Sequence, residues 1–111
     1  MKELKFKGKD NFISGFFEVF KNNLEKRGFK KILDTHTEKE KIIEYEKKKD
    51  KIVVEIKDIE PFESELKISG ENIDFIIYES LKVYIKENIL PIIRYISFEK
   101  AKKFEDFLES L

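Results

Sequence analysis

The one histidine of the chain lies in the run Asp34-Thr35-His36-Thr37-Glu38, where an imidazole stands among two carboxylates and two hydroxyls. Imidazole titrates near neutral pH, so His36 oriented by Asp34 or Glu38 has the chemistry of a general base. A base of this kind needs a nucleophile or a metal ion, and the spacing supplies neither. The chain has no H-E-x-x-H, no Gly-x-Ser-x-Gly, no glycine-rich phosphate loop and no calcium loop. Its lack of cysteine removes disulfides, thiolate nucleophiles and Cys-based zinc sites together. His36 therefore reads first as an exposed turn histidine and only weakly as a functional residue. No catalytic, cofactor-binding or metal-binding residue is assigned, no cofactor is expected, and the chemistry leans away from an enzyme.

Charge is the other source of chemistry. Charged residues make up 41% of the 111-residue chain, against about 25% in an average soluble protein. This Lys- and Glu-rich composition without Gln or Cys resembles thermophile usage, and an AT-rich genome yields the same bias. The net charge is zero, yet residues 1–31 hold nine Lys or Arg against four acids, which leaves the remainder acidic. Lysines 47, 48, 49 and 51, with Lys2, Lys5, Lys7, Lys9, Lys30 and Lys31, make a weak nucleic-acid patch if the turn and the N-terminal strand share an edge. Lysine on an edge strand also blocks sheet-to-sheet association, which is the preferred reading.

These groups must be positioned by one domain spanning 1–111. Leu4 and Phe6 alternate with charges in "ELKFKGK" and suit a short strand. Asp10 or Asn11 can cap a helix running to about Arg27, with Phe12, Ile13, Phe16, Phe17, Phe20 and Leu24 on one stripe and Gly28 as its stop. From Phe29 to Ser69 the apolar period changes to two. Four antiparallel strands are expected at about 29–36, 39–47, 51–58 and 62–69, with Tyr45 opposite Ile52 and Ile43 opposite Val54. Phe62, Leu66 and Ile68 share the inward parity. The outward parity (Ile42, Glu44, Glu46, Val53, Glu55, Lys57, Glu63, Glu65 and Lys67) predicts an acidic sheet face, the wrong sign for phosphate.

After Gly70 the pattern turns helical, with Ile73, Ile76, Ile77, Leu81, Tyr84 and Ile85 on one stripe and Phe75, Tyr78 and Val83 off it. The stretch "ENILPIIRYISF" (87–98) has only eight residues from Ile89 to Ile96, with a charge among them, far short of the ~20 a membrane span needs. Pro91 argues against a central strand and fits the first turn of a new helix. That helix either runs unbroken from 91 to 111 or stops near Ser97, whose hydroxyl can cap a separate last helix.

The fold class that follows is α+β, a curved antiparallel sheet of four to five strands with helices on one face, in the order β-α-β-β-β-β-α-α. By element order alone this resembles one half of the TATA-binding-protein fold and, more loosely, the helix-grip folds, which fixes no function. The leading expectation is a noncatalytic cytoplasmic protein-interaction module, pairing with itself as a homodimer or with another protein. Its candidate interface is Ile89, Leu90, Ile92, Ile93, Arg94, Tyr95 and Ile96. The alternative is a small-molecule binding protein or minor enzyme with an apolar pocket between sheet and helices, contacted by Tyr45, Ser64 and Tyr84. Weak nucleic-acid binding through the Lys-rich edge comes third. With neither a membrane-length apolar run nor the apolar core of a signal peptide, no membrane partner is expected.

Overall fold

A computed structural model of the chain describes residues 2–111 and has the element order read from the sequence, with the last helical segment divided in two. The elements are β1 (Lys2–Lys9), α1 (Asp10–Lys26), β2 (Lys30–His36), β3 (Glu40–Lys47), β4 (Asp50–Glu60), β5 (Glu63–Gly70), α2 (Ile73–Asn88), α3 (Leu90–Ile96) and α4 (Phe98–Ser110). The strands form one antiparallel sheet in the order β1-β5-β4-β3-β2, so β1 and β2 are its edges. Tyr45 pairs with Ile52 and Ile43 with Val54, the register the alternation requires.

The apolar stripe of α1 lies on this sheet. Ile13, Phe16, Phe17, Phe20 and Leu24 are buried with Ile43, Tyr45, Ile52, Val54, Leu66 and Ile68 in one core, which α2 completes through Ile73, Ile76 and Ile77. The rings interlock: Phe6 meets Phe16 edge-on at 5.6 Å, and Tyr84 of α2 meets Phe12 edge-on at 5.2 Å. Gly15 makes the second contact possible, because a Cβ there would stand 2.9 Å from the Tyr84 ring. Gly28, at φ +93°, ends the helix as expected; the Phe29 amide donates to the Leu24 carbonyl and the Gly28 amide to that of Glu25. Between the helices, the Asn23 amide donates to the buried Ser80 hydroxyl at 3.3 Å, and Ser80 donates to the Ile76 carbonyl.

Three local expectations are corrected. Asp10 does not cap α1: Lys9 is the N-cap, the Asp10 amide donates to the Phe62 carbonyl, and the Asp10 carboxylate accepts from the Ser64 hydroxyl at 2.5 Å. Phe62 does not point inward with Leu66 and Ile68. The two-residue link from Glu60 to Glu63 places Pro61 at its first corner and drives Phe62 to φ 69°, exposed at the turn. The outer sheet face is not acidic as a whole. β1, pairing with β5 from far along the chain, brings Lys5 and Lys7 to Glu65 and Lys9 to Glu63, while Lys67 bridges Glu3 and Glu55 and Lys51 reaches Glu44.

Candidate interaction surface on the C-terminal helices

The junction after α2 decides what the C-terminal third presents. Pro91 occupies the first turn of α3, where a missing N–H breaks no helical bond. Ser97 then leaves the helix at φ −157° and ψ 109° and accepts a hydrogen bond from the Lys100 amide at 3.3 Å, so the chain has two short helices here and not one long one. α4 folds back along α3. Arg94 donates to Glu105 at 2.7 Å across the pair, and Lys86 of α2 hydrogen-bonds Glu109 near the chain end, which holds the Glu109 carboxyl below its ordinary range.

Only Leu90 of α3 and Ala101 and Leu108 of α4 are buried, and these three lie outside the main core. Leu90 therefore turns inward and takes no part in the outer surface, and Ile93 is half covered beside it. The remaining apolar candidates stand in water: Ile92 is 61% exposed, Tyr95 93% and Ile96 77%, flanked by exposed Ile89 and by Phe98 at 72%. Spacings of three and four make Ile89, Ile92, Tyr95 and Ile96 one ridge along α3, and Phe98 follows at the start of α4. Phe98 is an exposed apolar residue that the sequence reading does not include; the apolar run continuing past Ser97 is the signal that could add it. The Arg94 guanidinium, among these candidates, is paired with Glu105 of α4.

The other candidate residues are not brought together. Tyr45 is buried under α1, and that burial, with Glu25, Asp34 and Glu18 nearby, pushes its hydroxyl pKa up to about 12. Ser64 is spent on Asp10, and Tyr84 packs against Gly15 and Phe12. None of them lines the groove of about 490 Å³ on the outer side of α1 and α2, whose walls include Val19, Asn22, Phe75, Tyr78, Val83 and Leu111. His36 is exposed at the end of β2, opposite Lys41. Among the described residues no group of three or more His, Cys, Asp or Glu is arranged to hold a metal ion. No helix among them is long and apolar enough to cross a membrane. The lysines proposed as one basic patch are split, because β1 and β2 are opposite edges of the sheet.

Comparison of the chain with known protein families, with curated proteins and with solved structures finds no match in any of the three.

Proposed function

We propose that this chain is a noncatalytic interaction module that pairs with a second copy of itself through the ridge Ile89, Ile92, Tyr95, Ile96 and Phe98. The observation that carries the reading is the exposure of that ridge on a helix whose only fully buried residue is Leu90. The surface of the whole chain supports it. The accessible area is 7766 Å² for a 13.3 kDa chain, where a folded monomer of that mass exposes about 6,450 Å². The radius of gyration is 15.4 Å, against about 13 Å for a compact domain of this length. The excess of about 1,300 Å² exceeds the ~800 Å² per partner that a standard interface covers. A two-fold arrangement lets one apolar patch cover itself, with Tyr95 as the aromatic anchor.

Light scattering across a concentration series tests this. The expected mass rises to at least twice 13.3 kDa, and a chain carrying Ile92→Glu and Tyr95→Glu loses the part of this association made through the ridge, seen as a lower mass at every concentration, while keeping its circular dichroism spectrum. A native chain that stays monomeric through high micromolar concentration overturns the reading.

A further inference from the structure

Strand β2 is uncovered in a way that no other strand is. All seven of its residues are exposed, and Ile32 and Leu33 at its centre are 50% and 39% exposed. Among the described residues its outer side has no strand partner, and no helix covers it. The opposite edge, β1, carries Lys2, Lys5, Lys7 and Lys9 along its length, a common guard against strand addition. β2 has lysines only at its start, Lys30 and Lys31, and an acid, Asp34, past its middle.

A bulge makes this pattern self-complementary. The register slips between Lys31 and Leu33, so Lys31 lies opposite Tyr45 and Asp34 opposite Ile43, two residues that both face the helices. In a regular strand residues three apart face opposite sides. Here Lys31 and Asp34 share a face and form an ion pair at 3.0 Å. A second β2 laid antiparallel, about an axis normal to the sheet, sets Lys31 opposite Asp34 of the other copy and the reverse, and Ile32 opposite Leu33. The charged pairs are matched in face, since Lys31 and Asp34 both lie on the helix side, and the two ion pairs become a ring of four alternating charges.

We infer that β2 is a second self-association edge, on which another copy of the chain adds its own β2 antiparallel in the register Lys31 to Asp34, extending the sheet from five strands to ten. This inference stands on the edge strand alone and is independent of the α3 ridge. With both interfaces in use the chain forms open assemblies larger than a dimer.

The test is made in the chain already carrying Ile92→Glu and Tyr95→Glu, so that only β2 pairing remains. Sedimentation equilibrium is expected to show a dimer. K31E alone and D34K alone each weaken it about tenfold, since each places like charges face to face. An equimolar mixture of the two restores it, because each introduced glutamate then faces an introduced lysine. An effect confined to the pair within one chain cannot produce that rescue. A background variant that is monomeric at every concentration, or a mixture no tighter than its components, overturns the inference. In the otherwise native chain, which has no cysteine, K31C mixed with D34C under glutathione oxidation is expected to give a disulfide-linked heterodimer, given paired strand Cβ atoms at ~4.5–5.5 Å. Absence of that cross-link also overturns it.

Discussion

Helices α1 and α3 carry apolar residues at the same spacings and meet opposite fates. In α1 the residues Phe16, Phe20 and Leu24 are completely buried against the sheet; in α3 the residues Ile92, Tyr95 and Ile96 face water. The difference lies in what each helix is attached to. α1 is held at both ends by the sheet, through β1 before it and the Gly28 turn into β2 after it. α3 follows α2 and packs chiefly on α4 and α2, with no comparable contact to the sheet. Apolar periodicity thus states a demand for cover and does not say which surface meets it.

The largest expected effect breaks the covered side. Phe20→Ala is expected to cost about 3–5 kcal/mol, because the cavity lies among fixed strands, whereas Ile92→Ala costs under about 0.5 kcal/mol in the dilute monomer. Urea melts of the two variants check this, and equal losses would erase the distinction between the helices. Next is alkaline loss of stability under α1. Tyr45 has a folded pKa near 12 against 10 in the open chain. Its neutral form therefore supports the fold fully below pH 10, and that support is lost as pH rises from 10 through 12, by about 2–3 kcal/mol. Stability against pH for Tyr45→Phe should lack this component. Gly15→Ala comes third, at about 1–2 kcal/mol, since the new methyl meets the Tyr84 ring before any helix-propensity gain is realised. Adding Tyr84→Ala in a double-mutant cycle should remove most of that penalty. The smallest effect sharpens the uncovered side. Ser97→Ala removes the α4 cap at a cost of about 1 kcal/mol or less, and thermal melts should show the loss without change in the core's near-ultraviolet signal.

Much of this architecture is legible in the residues. The stripe from Phe12 to Leu24, the stop at Gly28 and the pairing of Tyr45 with Ile52 follow from local period and turn chemistry. What is not legible depends on pairings distant in sequence. The lysines that neutralise Glu65 and Glu63 come from β1, and nothing within β5 announces them. The inward turn of Leu90 depends on α4 returning to cover it. The exposure of β2 on both faces depends on how far α1 reaches across the sheet; the alternation Phe29, Lys31 gives no sign of the bulge that follows. At the ridge, the break at Ser97 could be posed from sequence as one of two arrangements, and only the extended backbone of Ser97 decides between them.

The register of β1 has a consequence in time. β2 through β5 join neighbour to neighbour, two of the links being only two residues long, and can zip as local hairpins. β1 instead finds its partner some sixty positions later, Lys2 against Gly70 and Lys9 against Glu63, so it pays a longer loop closure before any ladder bond rewards it. Of the five strands, the one made before the other four is expected to be the last placed. Until it docks, the backbone edge of β5, the strand carrying Leu66 and Ile68, is open to any other nascent chain, and the rate of that single closure sets how long the growing protein is exposed to misassembly.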